Sequence, residues 1–361
     1  MQTEEIRKGL EGVVVDTTRV SLVDGANGAL SYRGYEIGSL LKRPFAEVAA
    51  LVVTGALDPG FGARLTAASQ LSEREQALVL TLPEHIHPMH VLQGLTPLLD
   101  DGDGFAEFGE AAQGLVIAAK LPAIVATRFR AAPVGAIRHD DPIRQFLLQI
   151  DAPDSSAAGR AFEAAQILQM EHGFNAGTFT ARVVASTLAP VPNALSAAFG
   201  ALHGVLHGGA DQAALETADE VGSPERAAAF VDECLASGRR VMGMGHREYR
   251  VVDPRARHLK VLAEELTTGT EHERTFRTLE AIERRFSERM AEQGRSLYAN
   301  VEFYKGLVFR SLGLPPRYFT ALFAMARVFG YVAHFMECRE DNRLVRPQAH
   351  YVGPAVRALE A

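Results

Sequence analysis

From Phe319 to Met336 the chain is apolar at almost every position, with Arg327 in the middle and His334 near the end. As a helix this stretch would be about 27 Å long, close to the thickness of a bilayer's hydrocarbon core. A central arginine costs roughly 2.5–3.5 kcal/mol in a bilayer even on a lenient scale. The expected state is therefore the buried core helix of a large globular protein, and no membrane span is expected. Phe319, Leu322, Phe323, Ala326, Phe329 and Ala333 form one stripe of that helix. Arg327 lies one step beyond the stripe, so its guanidinium needs an internal carboxylate or a bound anion.

Apolar residues recur at three and four in Phe45–Leu57, Glu73–Leu82, Phe105–Lys120, Pro142–Ile150 and Ala158–Met170. The same period runs through Asn193–Val205, Pro224–Leu235, Pro254–Leu266, Arg274–Gln293, Val301–Leu312 and Arg317–Glu337. Proline and glycine mark the joins, as at Pro59-Gly60 and Leu314-Pro315-Pro316. Strand signals are confined to Val13–Val15, Val20–Val23 and Ala29–Tyr32, with Asn27-Gly28 marking a hairpin turn. The fold class expected is all-α with a short N-terminal β-ribbon.

The formal net charge of −7 argues against non-specific nucleic-acid binding, which needs a basic face, while leaving room for a local basic pocket for a phosphate. Cys234 and Cys338 lie far apart and form neither a disulfide framework nor a zinc-type spacing. A reducing cytoplasm fits them, and the acidic start Met1–Glu5 lacks the features of a signal peptide.

Polar residues beside glycine mark the candidate site. His203 and His207 are spaced i, i+4 before Gly208-Gly209, a spacing open to a metal site, a core histidine or a helix end facing a cavity. Gly243 and Gly245 form a GxG loop that runs into His246, Arg247, Arg250 and Arg255, a weak phosphate signal strengthened by the cations. Asp253-Pro254 reads as N-cap and N1 of the next helix. Arg255 then sits at the positive end of the dipole, which an anionic ligand would explain. His172 occupies a glycine-broken junction, Glu171-His172-Gly173-Phe174-Asn175, and Asn300 reads as the N-cap of a helix with Glu302 in its first turn. His85, His87 and His90 read as a loop and helix start.

Together these segments resemble the citrate synthase family, in its shorter bacterial and archaeal form. The resemblance covers most of the chain, from Gly12–Thr17 and Tyr32–Ile37 through Leu82–Met89 and His172–Arg182 to Asp341–Pro347. It implies a homodimer with a large helical domain, residues 1–208 and 314–361, and a small inserted one, residues 209–313, closing over the cleft between them. Oxaloacetate and an acyl-CoA, most often acetyl-CoA, would condense with water to citrate and free CoA. By motif, His207 would polarise the thioester, Glu302 would be the base, and His246 would polarise the ketone of oxaloacetate. His172, Arg255 and Arg327 would hold its carboxylates, and Arg346 would reach the partner's site. Gly243, Gly245 and Arg247 would lie along the CoA. No metal or redox cofactor is implied.

The chain departs from the family pattern at the base. Glu302 stands for the usual aspartate and Lys305 for the usual serine, while Val205, His203 and Asp211 are further replacements. An extra methylene shifts a carboxylate by ~1.5 Å. Other readings stay open: a 2-methylcitrate or other alkylcitrate synthase using propionyl-CoA or a longer acyl-CoA, a weakly catalytic sensor of CoA or a dicarboxylate, and, distantly, a metal hydrolase built on His203 and His207.

Overall fold

The computed structural model describes residues 6–153, 155–246 and 248–358. Sixteen α-helices run in order: α1 (Ile37–Leu40), α2 (Phe45–Thr54), α3 (Phe61–Ala68), α4 (Glu73–Thr81), α5 (Pro88–Leu95), α6 (Ala112–Arg130), α7 (Pro142–Gln149) and α8 (Ser156–Gln169). They continue as α9 (Ala176–Ser186), α10 (Val191–Leu202), α11 (Ala210–Val221), α12 (Ala227–Ser237), α13 (Pro254–Thr267), α14 (Glu273–Glu292), α15 (Glu302–Ser311) and α16 (Phe319–Glu340). The sheet is one antiparallel ribbon, β1 (Ser21–Asp24), β2 (Ala29–Tyr32) and β3 (Tyr35–Glu36). The all-α class with a small N-terminal ribbon is the observed fold.

Helix α16 is the axis of the molecule. Its residues from Phe319 to Phe335 are all buried, not just one stripe of them. It packs on α2, α6, α8, α9 and α10. A helix apolar all round is one surrounded by other elements, and 94% of its most apolar window lies inside the protein. The length suited to a membrane is here filled by a core.

Several expectations need correction. Val13–Val15 forms no strand, and β3 was not anticipated. The apolar period over Phe105–Lys120 divides: Asp103–Ala111 is 3₁₀, and α6 then runs ten residues past Lys120 to Arg130. Helices α1, α3, α9 and α11 are not among the expected ones, while α5 begins at the helix start read around His87 and His90. The predicted helix Asn193–Val205 stops at Leu202, because the chain turns through His203–Gly209 before α11.

The ribbon serves the rest of the chain. Gly25, in the β1–β2 turn, accepts a hydrogen bond through its carbonyl from the Arg250 amide at 2.9 Å. The hairpin tip therefore anchors the loop that follows His246.

Candidate active site

His172 sits between α8 and α9. Glu171 beside it is fully buried, and its Oε1 accepts from the Gly173 amide at 2.6 Å and the Ser21 hydroxyl at 3.0 Å. His334 of α16 lies 3.1 Å from the same oxygen. Burial opposes charge on both groups, but their mutual attraction prevails: His334 moves above its ordinary value and Glu171 below. This buried pair fixes the backbone on either side of His172. The ring of His172 lies 3.1 Å from the Tyr249 hydroxyl through Nε2 and 5.3 Å, centre to centre, from His246.

His246 has a determined tautomer. Its Nδ1 accepts from the amides of Glu248 at 3.0 Å and Tyr249 at 3.3 Å. Burial, with the cation of Arg255, lowers its ionisation, so the neutral ring carries its one proton on Nε2. That Nε2 lies 3.2 Å from Nη2 of Arg255, which can only donate. Two donors side by side with no acceptor between them make a place for a ligand oxygen.

Arg255 is held rigidly for this task. Asp253 is the N-cap of α13, as expected, and its Oδ1 accepts from both the amide and the Nε of Arg255 at 3.0 Å. Its Oδ2 accepts from Nη2 at 2.8 Å. The anionic ligand that would explain a cation here has an internal counterpart: the N-cap carboxylate already balances the charge. Burial is overcome by this pairing, which raises Arg255 and lowers Asp253.

His207 lies in the turn between α10 and α11. Its Nε2 is 3.3 Å from Oδ1 of Asn175. That oxygen already accepts from the Gly177 and Thr178 amides as the N-cap of α9, so Nε2–H is the donor. Burial, aided by the Arg327 cation, pushes His207 down to about 4, and the ring is neutral at pH 7. The spacing of His203 and His207 does not put them on one helix face. His203 stacks on His87 at 4.4 Å and meets His90 at 4.7 Å, while His207 faces the interior. Among the described residues no group of three His, Cys, Asp or Glu side chains could hold a metal ion.

Glu302 is the first residue of α15, and its amide donates to Oδ1 of Asn300. The helix starts one residue later than the sequence suggested. The Glu302 charge acts on His207, His246 and Arg255. The strap 298–300 is tied to the glycine loop: Asn300 N donates to Gly243 O at 2.9 Å, Asn300 Nδ2 to Gly245 O at 3.1 Å, and Gly245 N to Tyr298 O at 2.7 Å. Gly243 has φ +78°, and a Cβ there would meet the Phe303 ring at 2.7 Å. The Gly245 amide is thus occupied, and the glycine loop is held against the strap that leads into Glu302. Arg247 lies outside the described residues.

Arg327, 2% exposed, donates through Nε to the Gln169 carbonyl at 2.7 Å and stands over the Phe323 ring at 4.7 Å. Among the described residues no carboxylate comes within 4 Å of it, and the buried Glu171 carboxylate feels its charge from further off. Arg346 sits on the exposed extended segment after α16, where Nη1 donates to the Pro347 carbonyl at 3.3 Å. Sequence reasoning missed Tyr249, Asn175 as the partner of His207, and Asp253 as the partner of Arg255. The Asp253-Pro254-Arg255 run was the signal for the last of these.

The cluster has a consequence for stability. Burial is the leading cause of lowered ionisation at His87, His172, His203, His207 and His246, whereas only His334 among the displaced histidines is raised. In the unfolded chain each takes a proton near pH ~6.5. As pH falls below that value the unfolded state binds protons first, and stability drops toward about 4, where folded His87 and His207 protonate. Thermal midpoints should therefore decline steadily between about pH 7.5 and 5. A midpoint as high at the acid end would mean that these rings are not held neutral.

Neutral His172 and His246 beside the Arg255 guanidinium, and neutral His207 within the influence of Arg327 and Glu302, on an all-α frame, are the groups of an enzyme that moves protons at the carbonyl of an anionic substrate. The family model for the citrate synthase C-terminal domain matches residues 9–348. The chain is 37% identical to a citrate synthase of Synechocystis, covering 97% of this chain and 91% of the relative. It is 34% identical to a 2-methylcitrate synthase of Mycobacterium tuberculosis, with 98% and 92% covered. A citrate synthase from Thermoplasma acidophilum, solved with carboxymethyl coenzyme A and oxaloacetate, superposes with a TM-score of 0.90 at 28% identity over 99% of both chains. The chain belongs to the citrate synthase family.

Proposed function

We propose that the protein condenses oxaloacetate with an acyl-CoA, acetyl-CoA foremost, and hydrolyses the thioester to give citrate and free CoA. The observation that carries this reading is the paired donor of His246 Nε2–H and Arg255 Nη2, set near a second neutral histidine and Glu302. Oxaloacetate brings a ketone and two carboxylates. Its ketone oxygen suits His246, and its carboxylates suit Arg255, Arg327 and His172, since guanidinium grips carboxylate bidentately.

Glu302 removes a proton from the acyl α-carbon. The oxygen of the thioester gains charge and takes the hydrogen bond of His207, whose long 3.3 Å bond to Asn175 is easily exchanged for a stronger acceptor. Such a preorganised donor is worth about 2.7–4 kcal/mol in other enzymes. The enol carbon then bonds to the ketone carbon, and His246 gives its Nε2 proton to the new alkoxide. Water cleaves the thioester. No metal or redox group enters these steps, and the acyl-CoA is a substrate.

In this reading residues 209–313 form a small domain that closes on the rest of the chain. The protein works as a homodimer, with Arg346 on its exposed segment serving the partner's site. The two cysteines, both buried and unpaired, fit a cytoplasmic location.

Free-thiol release tests the proposal. Oxaloacetate with acetyl-CoA should release thiol, and absence of release with both acetyl-CoA and propionyl-CoA would overturn it. The 34% identity to a 2-methylcitrate synthase makes propionyl-CoA the second substrate to try, because one methylene is worth only about 1–3 kcal/mol of discrimination.

A further inference from the structure

Lys305 and Asp211 are both fully buried. Their charged atoms are 3.3 Å apart, and among the described residues neither Nζ nor Oδ2 has a hydrogen-bond partner besides. The Lys305 ammonium also stands 4.1 Å from the centre of the Phe323 ring, the ring that carries Arg327 at 4.7 Å and meets His207 at 6.3 Å. Lys305 is three residues beyond Glu302 on α15, so the two share a helix face. Asp211 is the second residue of α11, four residues after His207, and its Oδ1 accepts from the Gln212 amide. The two helices touch closely here: a Cβ on Gly306 would lie 2.8 Å from the Asp211 carbonyl oxygen.

We propose that Lys305 is a positioning residue, whose buried pairing with Asp211 clamps the helix start bearing Glu302 to the turn bearing His207. A buried ion pair adds little net stability, because desolvation offsets the attraction, and its best-attested use is to fix register. Only one register of α15 against α11 brings these charges together. The pair thereby fixes how far the longer Glu302 side chain stands from the thioester-polarising histidine. This deepens the proposed reaction and rests on it.

The test is the isosteric neutral pair, Lys305→Met with Asp211→Asn, which leaves no orphan charge. A second variant, Lys305→Met alone, keeps Asp211 at the α11 start in the event that the double variant does not fold, since burial already shifts that carboxyl toward its neutral form. Two readouts are used on the full chain. Amide hydrogen exchange over residues 206–210 and 300–304 needs no substrate and should quicken about tenfold or more in either variant. In the thiol-release assay kcat should fall by about 10- to 100-fold, the cost of a misplacement near 1 Å, with the oxaloacetate KM within about twofold of wild type. Unchanged exchange, or a kcat within about twofold, would overturn the positioning role. If wild type releases no thiol, the proposed reaction has failed instead, and exchange alone decides whether the clamp exists.

Discussion

Glu302→Gln is expected to lower kcat by about 10²–10⁴-fold while leaving oxaloacetate affinity almost unchanged. Glutamine keeps the length and shape of the side chain and the first-turn position on α15, but it cannot accept the α-proton. The Glu302 amide would still bind Asn300 Oδ1, so the strap to the glycine loop survives. The oxaloacetate contacts assigned above come from His246, Arg255, Arg327 and His172, whose own hydrogen bonds run to the Glu248 amide, Asp253, the Gln169 carbonyl and Tyr249 and not to that carboxylate. The loss should therefore fall on turnover and not on oxaloacetate KM, as measured by steady-state thiol release with both substrates varied. A variant that keeps full turnover would transfer the base role to another group.

The same residue shows how far the sequence could be read. Glu302, His207 and His246 were identifiable because each interrupts a helical period beside a glycine or a cap. Helix α16 was legible because so long an apolar run with an arginine at its centre suits a core and not a bilayer. Helix α11 was missed: its period begins directly after Gly208-Gly209, where the reading expected the chain to leave regular structure. Helix α9 opens with glycine and threonines and has weak intrinsic propensity; Asn175 caps it and packing against α10 and α16 holds it. Pairings across the fold were out of reach. Asp253 was read as a cap, yet its carboxylate turns onto Arg255 two residues on because the N-cap lies outside the helical path. Lys305 was visible only as a departure from the family pattern. Its burial against Asp211 and Phe323 depends on the contact between α15, α11 and α16, which no local spacing reveals.

Arg327→Met is expected to raise the oxaloacetate requirement by roughly 30- to several-thousand-fold, corresponding to about 2–5 kcal/mol for losing one member of a buried charge pair. The fold should tolerate the change better than it would at Arg255. Removing Arg255 strands Asp253 as a lone buried carboxylate, whereas Arg327 has no carboxylate partner among the described residues and releases only the Gln169 carbonyl. Methionine fills a comparable volume against Phe323 and is itself a favourable neighbour for an aromatic ring. Binding and stability should thus separate: a thermal midpoint close to wild type, with oxaloacetate dissociation measured directly by calorimetry far weaker. His207 supplies an internal control. The Arg327 cation helps keep that imidazole neutral, so its ionisation should rise from about 4 in the variant, and the acid limb of turnover should move to higher pH. The groups facing His207 that remain are Glu302 and Lys305 on α15, whose opposed charges set how far it rises. Unaltered oxaloacetate binding in a folded variant would remove Arg327 from the site and leave its buried cation to be explained by the Gln169 carbonyl and the Phe323 ring alone.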